Sequence, residues 1–297
     1  MAPAIPPTVP RALLAAGPTF ILRRSSLTLT SDAQKITVGV FCGYVVAIAI
    51  LWYFPIKFVR NILKPFKWQA VAFHELGHAL ACKLTCGSVM YITLDINEGG
   101  ATQMSGGLPG ITYPAGYLGS SLFGALLIFC GFDIVASKIA SLVLGVLFLL
   151  LIWWAVIRVT HVQMKDGERK WLAPLIISLN TGAMVACWFI ANSEALRYYI
   201  LFVGTLTSTY SVWDIADDCI FRSVEGSDSF QLAKKAKSHG LCLCFCISSG
   251  RVLGIIWWLI SLGLIVAAVI AGIAAFPQTE SQQQTQSDGF IDASPRF

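Results

Sequence analysis

The sequence predicts an all-α, multi-pass transmembrane protein with six to seven membrane helices. Of its 297 residues, 56% are hydrophobic and only 12% are charged, too few charges to cover the surface of a soluble globule of this size. A helix needs about 20 consecutive apolar residues to cross the hydrocarbon core of a bilayer. Six stretches reach or approach that length with few charges: residues 36–59, 114–132, 139–159, 171–191, 198–213 and 252–276. These stretches have no polar face for water, which argues against a soluble all-α protein.

Tails of different composition flank this membrane domain, which we place at residues 35–276. Residues 1–34 contain five prolines and lack the continuous apolar core of a secretory signal. We therefore predict a disordered N-terminal tail. Residues 277–297 are rich in glutamine and serine, and we predict that they form a disordered C-terminal tail.

The charges of the loops predict an orientation. Basic residues are concentrated in the loops at 160–170 and 217–251, which places both loops on the cytoplasmic side. The C-terminal tail would then lie on the other side of the membrane. Basic residues lie both before and after the first helix, so its orientation stays open.

A shorter apolar segment, residues 68–84, contains polar residues with a recognisable spacing. The run from Phe73 to Ala79, FHELGHA, includes the pattern H-E-x-x-H. Residues four apart lie on one face of a helix, so His74 and His78 can bind the same metal ion. Glu75 lies beside them and can accept a proton from a water molecule that zinc has made acidic. The pattern predicts a zinc site with Glu75 as the catalytic base, and plain hydrogen bonding to neighbouring helices would not explain the spacing.

A catalytic zinc site usually has three protein ligands, so a third must come from elsewhere. His161 and His239 lie in basic loops, where we expect solvent to surround them. Three aspartates, Asp214, Asp217 and Asp218, follow the fifth apolar stretch. Asp214 is the deepest of them and is the preferred third ligand, with Asp218 as its closest competitor. The alternative for Asp217 and Asp218 is that they mark the point where the helix meets water.

At this point the chain resembles the site-2 proteases, which are intramembrane zinc metalloproteases, and most of all their divergent B-type branch. The resemblance is carried by FHELGHA at 73–79, GYLGS at 116–120 and WDIADD at 213–218, and it covers about residues 68–220 as a metalloprotease core. It implies that the two histidines and an aspartate of the 214–218 cluster bind zinc and that Glu75 is the base. The usual family signature Leu-Asp-Gly is missing, because no glycine follows any of the three aspartates.

The segment at 87–110 combines β-favouring residues with several glycines. It resembles the strand-forming loop that follows the metal-binding helix in that family, and such a loop would guide an unwound substrate by strand addition. An ordinary flexible loop is the alternative.

The expected function is hydrolysis of peptide bonds in membrane-associated protein substrates by zinc-activated water. One alternative is a catalytically inactive, protease-like membrane scaffold or chaperone, and another is a metal-dependent transporter. The expected partners are the lipid bilayer and a transmembrane or membrane-proximal protein, with no nucleic acid. We expect a eukaryotic endomembrane as the location.

Overall fold

The computed structural model describes residues 29–95, 99–158, 171–238 and 249–290. Most of them are helical, and one small hairpin follows the third helix. The helices are α1 (Asp32–Tyr53), α2 (Lys57–Arg60), α3 (Lys64–Leu84), α4 (Pro109–Thr112), α5 (Pro114–Cys130), α6 (Ile134–Ile152), α7 (Leu172–Phe189), α8 (Glu194–Ile215), α9 (Asp228–Ser238), α10 (Gly250–Ala275) and α11 (Glu280–Gly289), and the strands are β1 (Ser88–Leu94) and β2 (Gly100–Ser105). Turns of π-helix extend α6 over Trp153–Ile157 and α8 over Ala216–Phe221.

Five helical stretches of the described chain are long and apolar enough to cross a membrane: Asp32–Tyr53, Pro109–Cys130, Ile134–Ile157, Leu172–Phe189 and Gly250–Ala275. The other two predicted segments, residues 68–84 and 198–213, lie within α3 and α8. Many side chains of these two helices are buried among their neighbours. The prediction of an all-α, multi-pass integral membrane protein is confirmed.

Local sequence signals explain where the first helix begins and ends. Ser31 caps α1, and the Gln34 side chain completes a capping box with it. Pro55 favours an extended conformation for Phe54, which has φ −60° and ψ 134°. The helix therefore ends at Tyr53, before the end of the predicted stretch at 36–59.

Helix α5 lies at the centre of the bundle and packs against α3, α8 and α10. Small residues allow these helices to approach closely. The Ser120 and Ser211 hydroxyls lie 2.8 Å apart between α5 and α8, and the Ser121 hydroxyl donates to that of Ser261 on α10 at 2.8 Å. These buried contacts join α5 to α8 and to α10.

The segment after α3 forms an antiparallel hairpin, which agrees with the predicted β-like loop. Its strands pair in a register that places Ile92 opposite Thr102, with an irregularity between Val89 and Tyr91. Both strands pack against α3. The hairpin thus lies beside the helix that carries the H-E-x-x-H pattern.

The C-terminal segment differs from the expectation. The prediction of a disordered tail at 277–297 is wrong for residues 280–289, which form α11. Gln283 is fully buried; its side chain accepts a hydrogen bond from Arg197 at 2.8 Å and donates one to the Phe132 carbonyl at 3.1 Å. Lys138 donates to the Ser287 carbonyl at 3.2 Å. The polar composition suggested solvent, but buried cations of the bundle need acceptors and α11 supplies them.

The described residues begin at 29 and end at 290, so the predictions for most of the N-terminal tail and for the last seven residues lie outside them.

Candidate metal centre

Helix α3 places His74 and His78 on one face, one turn apart. Their Nε2 atoms are 3.1 Å from each other. The Nδ1 atom of His78 lies 2.7 Å from the Thr112 carbonyl oxygen, which can only accept, so Nδ1 carries the proton. The Nε2 atom of His78 is then free to act as a metal ligand.

Two glycines allow α5 to come close to these imidazoles. Gly77 lies against the carbonyl group of Ala115, and Gly116 lies against the Nε2 atoms of both histidines. A Cβ atom at either glycine would collide with these groups. The Tyr117 ring stands edge-on to the His74 ring, with 4.5 Å between centroids. The GYLGS segment therefore forms one wall of the site.

The carboxylate that reaches the histidines belongs to Asp228, in the first turn of α9. Its Oδ2 atom lies 3.1 Å from Nε2 of His74 and 3.0 Å from Nε2 of His78. Apart from these rings, this buried oxygen has no hydrogen-bond partner among the described residues. Burial by itself raises the pKa of Asp228, but the two imidazoles that face it outweigh burial and hold the pKa well below its ordinary value. Asp228 is therefore an anion.

The aspartates of the 214–218 cluster do not join this group. Asp214 and Asp218 line the same cavity, but of all the described acidic residues it is Asp228 whose carboxylate meets both histidines. The Arg222 guanidinium binds Asp217 and Asp218 at 2.6 Å each. The choice of Asp214 as third ligand therefore stays a prediction, and the described residues that could together hold a metal ion are His74, His78 and Asp228.

The physical reason is the path of the chain after α8. The π-helical turn at Ala216–Phe221 and the residues that follow it keep the chain beside the cavity, so that α9 begins next to the imidazoles. The available sequence signal was an acidic residue opening a short helix, where a carboxylate is favoured by the helix dipole. His161 and His239, the other ligands considered, lie outside the described residues.

Glu75 lies one residue after His74 and is buried, with 5% of its surface exposed. Strand β2 covers it. The Thr102 hydroxyl lies 2.6 Å from Oε2 of Glu75 and 3.0 Å from its carbonyl oxygen. Gly100 lies so close that an added Cβ atom would come within 2.7 Å of Oε1. The hairpin therefore fixes the carboxylate that the sequence predicted as the base.

His74, His78 and Glu75 line one cavity of about 730 Å³. Its walls come from α3, β2, α4, α5, the end of α8 and α9. Residues from both sides of the cavity include Glu75, Thr102, Tyr117 and Asp228. The cavity has room for a segment of polypeptide next to the histidines.

The three ligand atoms have a spacing suited to a tetrahedral ion. They lie 3.0 to 3.1 Å from one another. Ligands at about 2.0 to 2.1 Å from a tetrahedral zinc lie about 3.3 Å apart. Two imidazole nitrogens and one carboxylate oxygen leave a fourth position open, as in catalytic zinc sites. The residues present therefore fit zinc.

Comparison with known proteins agrees with the architecture. A family model described as Peptidase M50B-like matches residues 41–268, about three quarters of the chain. No curated protein and no solved structure matches. The matched range includes the H-E-x-x-H helix, the hairpin and Asp228. The resemblance to the site-2 proteases is confirmed, and the chain belongs to the Peptidase M50B-like branch of that family.

Proposed function

We propose that this protein is an intramembrane zinc metalloprotease that hydrolyses peptide bonds of membrane-associated proteins. The observation that carries the proposal is the convergence of His74, His78 and Asp228 on one point of a cavity that also contains Glu75. A structural ion pair would account for the aspartate and the imidazoles. It would not account for the buried glutamate beside them or for the open volume.

The proposed zinc would be held by the two imidazoles and the Asp228 carboxylate. When bound, zinc supplies the Lewis acidity that polarises a peptide carbonyl and makes water acidic near pH 7. Glu75 takes the proton from the attacking water and later gives it to the departing amine. Burial of Glu75 under β2 keeps bulk water away from this proton transfer.

Strand β2 supports a role in substrate binding. Within the described chain it pairs only with β1, and its residues Gly100 to Met104 line the cavity. Its unpaired edge offers main-chain donors and acceptors to an extended peptide. A substrate helix would have to unwind before it pairs there, which makes peptide bonds accessible.

The test is cleavage by the purified full-length protein in lipid nanodiscs. Fluorescein-labelled β-casein serves as the unfolded probe. We expect zinc and cleavage to be lost together in His74→Ala, whereas Glu75→Gln should keep zinc and lose cleavage. Cleavage by Glu75→Gln at the wild-type rate would overturn the proposal.

The two alternative functions make different predictions. A protease-like scaffold or chaperone would bind transmembrane helices without cutting them, and Glu75→Gln would leave its function intact in cells. A metal-dependent transporter would give metal-dependent ion flux into liposomes and no cleavage product. Neither alternative explains why Glu75 is held beside the three ligand atoms.

We also propose a eukaryotic endomembrane as the location and transmembrane or membrane-proximal proteins as substrates. The long tails and the family resemblance support this location. Fluorescence microscopy of the tagged protein with organelle markers tests it, and an exclusive plasma-membrane signal would contradict it.

A further inference from the structure

The contact between Thr102 and Glu75 joins the hairpin to the base. Thr102 lies in the middle of β2, opposite Ile92 of β1. Its hydroxyl is 2.6 Å from Oε2 of Glu75, within the range of about 2.5 to 2.7 Å for a hydroxyl donating to a carboxylate. The neighbouring carbonyl oxygen of Glu75, at 3.0 Å, is the more distant acceptor. The shorter contact therefore receives the proton.

We propose that Thr102 is a positioning residue for Glu75, holding one carboxylate oxygen against β2 so that the base has a single orientation in the cavity. The inference rests on the proposed function, because it assigns a role within the same reaction. Thr102 itself neither binds the metal nor accepts the proton.

Free rotation of the carboxylate is what this bond prevents. The terminal torsion of a glutamate side chain is broad, so the orientation of an isolated carboxylate is poorly defined. Gly100 closes the space on the Oε1 side, and Thr102 anchors Oε2. Both restraints come from the same strand, so the base is oriented only when the hairpin lies on α3. Proton transfer requires the base within hydrogen-bond reach of the proton it removes.

The sequence offers a matched control in the same hairpin. The Thr93 hydroxyl on β1 donates to the Ala101 carbonyl at 3.4 Å, and Thr93 does not line the cavity. Thr93→Val removes a buried hydroxyl of the hairpin that does not line the cavity. Thr102→Val removes the hydroxyl that faces Glu75, and Thr102→Ser retains it.

The experiment measures cleavage of fluorescein-labelled β-casein and zinc content for the wild type and these three variants, as full-length proteins in nanodiscs. For Thr102→Val we expect kcat to fall by about 10-fold or more, with KM within about 2-fold and zinc content unchanged. Thr102→Ser should recover most of the activity, and Thr93→Val should resemble the wild type. Wild-type kcat in Thr102→Val, or loss of zinc in parallel with activity, would overturn the positioning role.

A second measurement does not depend on cleavage. Infrared difference spectra report the antisymmetric carboxylate stretch of Glu75, identified as the band that disappears in Glu75→Gln. Loss of a strong donor should shift this band in Thr102→Val and leave it in place in Thr102→Ser. An unshifted band in Thr102→Val would refute the contact. If the wild type failed to cleave casein while the band shifted, the protease proposal would fail and the contact would stand.

Discussion

Replacing Asp228 by asparagine gives the sharpest test of the metal centre. Asparagine has the same size but no negative charge, so the change removes the anionic ligand and leaves the packing of α9. In the structure the Oδ2 atom of Asp228 lies 3.0 to 3.1 Å from the Nε2 atoms of both imidazoles, which makes it the proposed third ligand. The matched control is Asp214→Asn, which changes a carboxylate that lines the same cavity but is not part of the group formed by His74, His78 and Asp228.

The expected loss follows from the position of the carboxylate. Removing an outer partner of a metal ligand typically lowers metal affinity about 10- to 100-fold. Loss of a direct ligand should exceed this, so we expect zinc to bind at least about 100-fold more weakly, or about 2.7 kcal/mol. Asp214→Asn should bind zinc within about 10-fold of the wild type, as expected of a group outside the inner ligand shell.

The assay is a competition titration of purified protein with a fluorescent zinc chelator, together with zinc measured per protein by mass spectrometry. Tryptophan fluorescence checks that both variants remain folded. The reasoning is refuted if Asp214→Asn loses zinc while Asp228→Asn retains it. That result would return the third-ligand role to the aspartate favoured by the sequence.

Three further outcomes are expected. Gly116→Ala should abolish zinc binding while the protein stays folded, because its Cβ atom would collide with both imidazoles. In the same titration Gly145→Ala should bind zinc normally, because a Cβ atom added at Gly145 meets nothing within 4 Å. Gln283→Ala should destabilise the protein by about 1 to 3 kcal/mol, because it leaves the buried Nη1 group of Arg197 without its acceptor. Thermal unfolding measures this, and an equal effect of the exposed Gln286→Ala would contradict it. Treatment with 1,10-phenanthroline should stop casein cleavage. Added zinc should restore cleavage and added magnesium should not, because imidazole ligands favour zinc over magnesium. Restoration of cleavage by magnesium would exclude the proposed site.

The sequence by itself determined the membrane architecture and half of the candidate metal centre. Long apolar stretches require helices in a bilayer, because backbone groups cannot remain unpaired in lipid. The four-residue spacing of His74 and His78 fixes their common face through helix geometry alone. Glu75 follows from the same pattern. The predictions for His74, Glu75 and His78 depend only on residues within about one helical turn of each other.

Tertiary structure decided the remaining parts. Asp228 reaches the imidazoles because α9 begins beside the cavity, and Thr102 reaches Glu75 because the hairpin folds back on α3. Residues 280–289, whose polar composition predicts disorder, form helix α11, and Gln283 of this helix accepts a hydrogen bond from Arg197. None of these contacts can be predicted from a periodic sequence pattern, because each joins residues that are distant in the chain. Their formation depends on how the helices pack, which the spacing of residues along one helix does not encode.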